Sequence, residues 1–362
     1  MDILVTGGCG FIGSNFVRHV LGAHAQDRVI NLDLLTYAGN PANLADVEAD
    51  YPDRYELVRG DVNDREMCLP LMERAQAVAH FAAESHVDRS IDGSAQFLTT
   101  NVLGTHNLLE CARLAWSGAA ENSFVYVSTD EVYGALELDS TERFVETRPL
   151  APRNPYSASK AAADHLAMAF YYTHGLPVKI TRCSNTYGPY QFPEKLIPLM
   201  IANIVANQAL PMYGDGLYVR DWLYVLDNCR ASDAVMRSGR AGQAYNVGGD
   251  AERANLEVVR RLVELVCVRL DLDVDERLGL ITHIADRPGH DRRYATDAGK
   301  LGRELGIEPV TSFENGLAST VDWYLANQDW CDQVTSGAYQ DYYRQMYGSR
   351  LEEAGRDGKP EA

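Results

Sequence analysis

The glycine-rich turn at residues 7–13 constrains the fold of this chain more than any other stretch. Asp2-Ile3-Leu4-Val5-Thr6 reads as a short buried strand, and Gly7-Gly8-Cys9-Gly10-Phe11-Ile12-Gly13 follows it directly. Next comes a helical pattern with Ile12, Phe16 and Val20 on one face. The glycines satisfy both Gly8-x-Gly10-x-x-Gly13 and the wider Gly7-x-x-Gly10-x-x-Gly13. The early glycines permit a tight turn and close backbone approach to a pyrophosphate, and the last lets the helix pack on the strand. The helix N-terminus then faces the phosphates. A glycine pattern alone says little; the strand before it and the helix after it supply the required context. A second apolar run, Val29-Ile30-Asn31-Leu32, ends in Asp33, about 20 residues past Gly13, where a ribose-binding carboxylate belongs. An Asp at a strand end is otherwise a turn or helix-cap residue. Here its charge would repel a 2′-phosphate, so the spacing predicts NAD rather than NADP.

The alternation continues. Tyr55–Arg59 reads as a strand ending at Gly60-Asp61-Val62, a plausible adenine contact, and Ala77–Phe81 as another, ending in Ala82-Ala83-Glu84-Ser85. A helical pattern runs from about Ser94 to Trp116, followed by the apolar runs Phe124–Val127 and Val178–Thr181. Strands alternating with helices predict βαβ units and an α/β fold with a Rossmann-type, doubly wound parallel sheet. Such folds bind ligands at the carboxyl edge of the sheet. After residue 182 the character changes. A loop, Cys183–Tyr190, leads through Phe192-Pro193-Glu194-Lys195 into a helix over 196–207, and Ala244–Gly248 reads as one more strand. Helices are expected from Asn255 and over 313–326, with a dense basic loop, Asp286–Arg293, between them. The expected organisation is a nucleotide-binding domain over 1–182, with returning segments near 222–248, and a smaller, interleaved C-terminal α/β domain over 183–350. The polar tail 351–362 is expected to be disordered.

Bulk properties narrow the classes. The net charge of -18 argues against nucleic acid as a partner, though not against a small anionic ligand held by local Arg and backbone groups. No run of about 18 apolar residues predicts a membrane span. No basic n-region or cleavage site suggests a signal peptide. Seven scattered cysteines without a Cys-x-x-Cys fit a reduced cytoplasm, and no clustered ligands suggest a metal.

The chemistry concentrates between Ser128 and Lys160. Ser128-Thr129-Asp130-Glu131-Val132-Tyr133-Gly134 supplies a hydroxyl and two adjacent carboxylates, and Tyr156-Ser157-Ala158-Ser159-Lys160 places a phenol one helical turn before an ammonium. A Lys⁺ beside a phenol lowers its pKa from about 10, which makes Tyr156 a candidate base. Each feature alone is commonplace: Tyr-x-x-x-Lys occurs by chance on solvated helices, and an Asp-Glu pair often starts one. Their position after the sheet strands is what gives them weight. With a diphosphate nearby, Arg287 and Arg293 read as bidentate clamps.

Together these residues resemble the extended short-chain dehydrogenase/reductase family, over about residues 1–350. The glycine pattern and Tyr156-x-x-x-Lys160 mark the superfamily. Thr129-Asp130-Glu131, Ala83–Ser90, Pro193–Pro198, Arg287–Asp291, Ser336–Gln340 and Tyr347 are more specific, and resemble its branch of dehydratases acting on dTDP-glucose. Thr186 departs from the pattern, which usually carries a second Asn there. The resemblance implies a tightly bound, recycled NAD and a three-step reaction. Tyr156 takes the proton of the sugar 4-hydroxyl as hydride leaves C4, Glu131 takes the C5 proton while protonated Asp130 donates to the departing C6 hydroxyl, and hydride returns to C6. The product is a dTDP-4-keto-6-deoxy-glucose. Thr129 would hold the 4-hydroxyl and Lys160 the nicotinamide ribose. The resemblance further implies a cofactor site of Gly7, Gly10, Phe11, Ile12, Gly13, Asp33, Thr36, Asp61, Val62, Phe81, Ala82, Ala83, Thr100, Tyr156, Lys160 and Cys183. The implied nucleotide-sugar site comprises Ser85, Thr129, Asn185, Glu194, Lys195, Leu196, Pro211, Tyr213, Arg220, Asn255, Arg287, His290 and Tyr347. His290 alone reads equally as a surface His, and Asn255 as a helix cap. A homodimer, pairing the 94–116 helix and the helix after Tyr156 with their mates, is implied as well.

Three rival readings remain open at this point. A nucleotide-sugar 4-epimerase shares the glycine loop, Asp33, Tyr156 and Lys160 but has no use for the carboxylate pair. A nucleotide-sugar decarboxylase needs no acid at position 130. A non-catalytic NAD-binding regulator needs none of the Tyr/Lys/Asp/Glu set.

Overall fold

Short, mostly buried runs form the strands, in chain order β1 (Asp2–Thr6), β2 (Arg28–Asp33), β3 (Tyr55–Arg59), β4 (Ala77–His80), β5 (Ser123–Thr129), β6 (Val178–Cys183), β7 (Asn185–Tyr187), β8 (Leu210–Tyr213), β9 (Val219–Tyr224), β10 (Gln243–Val247), β11 (Glu252–Ala254) and β12 (Ile281–Ile284). This is a computed structural model, and it describes residues 1–116, 121–335 and 337–357. Seven strands form one sheet in the order β10-β6-β5-β4-β1-β2-β3, every neighbouring pair parallel. The order reverses between β1 and β4, so the crevice of this doubly wound sheet opens at the carboxyl ends of those strands. Thr6, His80 and Thr129 end strands β1, β4 and β5 there, and Asp33 ends β2.

Helices cover both faces, as a parallel sheet requires. On one face the helix Phe11–Ala23 packs Phe16 and Val20 with Ile3, Val5, Cys229 and Val235, the last two from the helix Val225–Ser238. On the other, Leu108 and Leu109 meet Ala163 and Phe170 of the helix Pro155–His174 above Phe124 and Tyr126. A second core, around Met200, Ile204, Leu262, Val263 and Leu317, holds the mixed sheet β11-β9-β7, the pair β12-β8, and the helices Leu196–Val205, Asn255–Leu270 and Phe313–Ala326. The chain leaves the large sheet after β6, builds β7 to β9 in the second body, returns through 225–247 to complete the sheet edge with β10, and leaves again.

Four local expectations need correction. The stretch Cys183–Tyr190, expected as a loop, begins with the last residue of β6 and contains β7, which pairs with β9. The segment expected as one helix from Ser94 to Trp116 contains a wide π-type turn over Leu98–Gly104. Buried Asn101 causes it to open inward: its amide bonds both the N–H and the carbonyl of Glu84, and the Ser159 hydroxyl. The helix expected to reach Asn207 ends at Val205, and Asn207 takes φ 54° beyond it. The tail is not irregular from Leu351: Ser349–Asp357 is helical, because Leu351 and Ala354 reach the apolar cluster of Leu199, Ile284, Met346 and Tyr347. Residues 358–362 of the expected tail lie outside the described residues. Among the described residues no helix is long and apolar enough to cross a membrane, and all seven cysteines are free thiols.

Candidate active site

The glycine turn builds the first half of the site. Gly7 adopts φ +71° and passes so close to the β4 end that a Cβ there would meet the Ala82 nitrogen at 2.6 Å; one at Gly13 would meet the Gly7 carbonyl oxygen at 2.2 Å. Gly10 caps the helix Phe11–Ala23 without any side-chain bond, so its first turn opens onto the cleft. That is a ready anion site. Asp33 accepts from the Cys9 and Leu35 N–H groups, both at 2.8 Å, and burial raises its pKa. All the residues expected to hold the cofactor except Cys183 line this one cleft, with Gly7 to Gly13 at the phosphate end and Tyr156 and Lys160 at the other. The cleft therefore fits a dinucleotide. Cys183 is the exception: its thiol is turned into the core, 3.2 Å from the Asn228 amide oxygen.

A second cavity adjoins the first. Every residue expected to hold the nucleotide sugar, apart from Thr129, lines it, and so does Glu131. Ser85, Gln191, Glu194 and Lys195 line both, so the two share a wall. Five polar atoms at this second cavity are buried with no hydrogen-bond partner: Asn185 Oδ1, Gln191 Oε1, Trp222 Nε1, Asn255 Oδ1 and Arg287 Nε. Leaving such a group unmade costs about 1–3 kcal/mol. Five such atoms belong to residues around one cavity, whose lining is correspondingly polar. Asn255 is thus the first residue of its helix with its amide oxygen unbonded, not a helix cap. Arg220 donates to two carbonyls, of Val219 and Asp291, and Arg287 pairs with Asp88 at 3.2 Å. His290 stacks on Tyr218 at 3.7 Å and bonds Asp286, while burial and the charges of Arg287 and Arg220 push its pKa down to about 3. Arg293 does not join this set. Its guanidinium bonds the Glu252 carboxylate and the Glu142 carbonyl, so it braces the loop instead of clamping a diphosphate.

A loop of residues 188–195 straps the shared wall. The Asn15 amide donates to Pro189 O, the Arg18 guanidinium lies 4.3 Å over Tyr190, and Tyr324 donates to Gln191 O. At the far end, Glu194 accepts from the Tyr37 hydroxyl and from Arg89 Nε, each at 3.2 Å, while the Arg89 guanidinium lies 3.9 Å over the Tyr37 ring. Tyr37, Arg89, Gln191 and Trp222 escaped the sequence reading as site residues. Only the run Ala83–Ser90, which contains Arg89, and the place of Trp222 beside Arg220 hinted at two of them.

Of the residues expected to carry the chemistry, Tyr156 and Lys160 line the first cavity and Glu131 the second, while Thr129 and Asp130 line neither. Thr129 ends β5, and Asp130–Tyr133 form a single helical turn whose start Thr129 caps through the Glu131 N–H. Glu131 faces the sugar cavity and receives the Asn154 amide at 3.4 Å. Asp130 points inward and is 1% exposed. Thr296 donates to its Oδ2 at 3.1 Å, and the Thr129 hydroxyl oxygen lies 3.4 Å from its Oδ1. Burial, then the charges of Glu131 and Asp221, push the Asp130 pKa up to about 8. Asp130 therefore keeps its proton near neutrality, beside a second carboxyl that faces the sugar cavity. Tyr156 departs from expectation. Its phenol is raised well above the ordinary value by burial and by Glu131, and is drawn the other way by a hydrogen bond from Thr129. Lys160 does not touch it: Nζ donates to Val127 O at 2.7 Å and lies 4.3 Å over the Tyr126 ring, with burial lowering its pKa to about 8. Among the described residues no group of His, Cys, Asp or Glu could hold a metal ion.

A family described as GDP-mannose 4,6 dehydratase matches residues 4–320. A dTDP-glucose 4,6-dehydratase of Salmonella typhimurium is 50% identical over 367 residues, which span 97% of this chain and 100% of that protein. The chain belongs to the dTDP-glucose 4,6-dehydratase family. A dTDP-glucose 4,6-dehydratase from Streptomyces venezuelae, solved as a double mutant with NAD bound, superposes with a TM-score of 0.85 at 48% identity, covering 92% of this chain and 100% of that one. Membership of this dehydratase family accounts for both clefts. The UDP-glucose 4-epimerase of Thermus thermophilus shares the fold at a TM-score of 0.78 over 90% of this chain and 100% of its own, but at 29% identity. The dehydratase family and that epimerase thus share a scaffold.

Proposed function

We propose that this chain is an NAD-dependent dTDP-glucose 4,6-dehydratase, converting dTDP-glucose to dTDP-4-keto-6-deoxy-glucose and water. The observation that carries the reading is the Asp130–Glu131 pair: one buried carboxyl held protonated up to about pH 8 beside a second that faces the sugar cavity. Water elimination needs an acid and a base at adjacent carbons. An epimerase uses neither, and a decarboxylase has no hydroxyl to expel.

Bound in the glycine-turn cleft, NAD supplies the temporary oxidation at sugar C4 and the reduction at C6 that ends the sequence. Tyr156 takes the proton of the 4-hydroxyl, with the Thr129 hydroxyl favouring its ionised form. The 4-keto group acidifies the C5 proton, which Glu131 removes. Asp130 gives its proton to the C6 hydroxyl, which leaves as water. Glu131 returns its proton to C5. Lys160 would hold the cofactor ribose, and Arg220 and Arg287 bring positive charge to the diphosphate. The choice of a thymidine nucleotide rests on the names of the relatives.

A cytoplasmic homodimer fits this reading. Seven free thiols support a reducing location. Leu98, Leu103 and Tyr172, 53, 57 and 74% exposed on the 95–115 and 155–174 helices, support a paired helical interface, which light scattering would test as a mass of two chains.

The direct test is a mass spectrum of the nucleotide sugar after incubating the purified protein with dTDP-glucose and no added cofactor. A product lighter by one water supports the dehydratase and a resident cofactor. Isomerisation at unchanged mass would assign an epimerase and sink the reading.

A further inference from the structure

Asp130 poses a problem of proton balance. On the reading above, each turnover takes one proton from Asp130 into the departing water and deposits one, from the 4-hydroxyl, on Tyr156. Asp130 therefore alternates between a neutral acid and a buried carboxylate. An isolated buried carboxylate is expensive. The groups facing Asp130 are Thr129 and Glu131 on its own turn, Arg220 and Asp221 of β9, Cys183 of β6, Tyr156 of the 155–174 helix, and Thr296. Arg220 is the one cation among them, and its guanidinium is occupied by two carbonyls. Glu131 and Asp221 oppose ionisation.

Thr296 is the group built to receive the charge. It is 3% exposed, on a segment fixed by the isolated bridge of Thr296 with Phe144, by the Phe144 N–H to Ala295 O, and by the Asp297 N–H to Phe144 O. Its hydroxyl donates to Oδ2 at 3.1 Å, the shorter of the two hydroxyl contacts on this carboxyl. Oδ2 is thereby the accepting oxygen, which leaves the proton to Oδ1, whose O–H then donates to the Thr129 oxygen while the Thr129 hydroxyl proton turns to Tyr156.

We propose that Thr296 is a positioning residue for the elimination step: its hydroxyl pins Oδ2 of Asp130, directs the acidic proton to Oδ1, and holds the carboxylate that remains when water has left. The inference rests on the reading of Asp130 as the acid. No step of the C4 oxidation involves Thr296.

The test compares Thr296→Val, which keeps the shape and removes the hydroxyl, with Thr296→Ser, which keeps it. In Thr296→Val, reduction of the bound cofactor on sugar addition should stay within about twofold of wild type, and water loss should slow by roughly ten- to hundredfold, the range of a hydrogen bond to a charged group. Reduced cofactor and 4-keto-glucose nucleotide should then accumulate. Its alkaline limb should also move upward, because a bond that favours the carboxylate is gone. Thr296→Ser should behave as wild type. Equal slowing of oxidation and elimination in Thr296→Val, an unmoved alkaline limb, or loss of elimination in Thr296→Ser would overturn the proposal, and the Ser variant decides the matter if the Val variant does not fold. Normal water loss in Asp130→Asn would instead refute the acid assignment on which it stands.

Discussion

At the residue scale, the site turns on environments that differ between neighbours. Asp130 and Glu131 are adjacent in sequence, yet one is buried under two hydroxyls and the other faces the sugar cavity. Asp130→Asn and Glu131→Gln should each slow water loss by roughly 10²–10⁴-fold while leaving bound NAD in place, measured by product mass and by cofactor content. The raised pKa also makes a prediction about stability. With a folded pKa of about 8 against an ordinary 3.8, Asp130 binds its proton more tightly in the folded state. Its contribution is complete below about pH 4 and is lost as pH rises through 8. Thermal unfolding from pH 5 to 9 should therefore show wild type losing stability relative to Asp130→Asn as pH climbs; parallel curves would contradict the raised pKa. Residue types and chain spacing were legible here. Side-chain direction was not: Lys160 lies one turn from Tyr156 in sequence, but its ammonium is drawn to Val127 O, and Arg293 of the basic loop is consumed by Glu252. A helical spacing fixes which face a residue occupies and leaves open which acceptor is nearest.

At the element scale, the sequence yielded the seven strands of the large sheet and the glycine turn because each is written in consecutive residues, whereas the short strands of the second body, β7 to β9, β11 and β12, were not read as strands. The loop over 188–195 was readable only as a loop, since its partners, Asn15, Arg18, Tyr37, Arg89 and Tyr324, are scattered through the chain. The same holds for the π-type turn, whose cause is a buried amide reaching Glu84 and Ser159. The loop ties the lip that carries Asp33 and Thr36 to the lip that carries Lys195. Tyr37→Phe removes one hydrogen bond to the buried Glu194 carboxylate, about 1–3 kcal/mol. It should shorten the residence of NAD by roughly tenfold, read as cofactor retained after gel filtration, with turnover restored by added NAD. Full retention would mean that the loop does not hold the cofactor.

At the scale of the whole molecule, the two bodies are interleaved, and neither is a contiguous piece of chain. The large sheet takes its edge strand, β10, from beyond the second body's β7 to β9, and Asn246 of that strand accepts from the Tyr133 hydroxyl of the Asp130–Tyr133 turn. A fragment ending at residue 183 lacks this strand and the 225–238 helix, and so exposes the β6 edge and the apolar sheet face, with Val5, Ala79 and Val125, that Val235 and Met236 of that helix cover. It should aggregate, where the full chain gives a sharp unfolding transition; a monomeric, cooperatively folding fragment would refute this. The interleaving also has a meaning in time. A ribosome adding 5–20 residues per second places roughly 3–12 s between the emergence of Cys183 and that of Gln243. Throughout that interval the nascent sheet ends in an unpaired strand, and no amount of early folding completes the site. The order of the strands makes synthesis itself the period of greatest exposure for this chain, and the period in which a chaperone has most to cover.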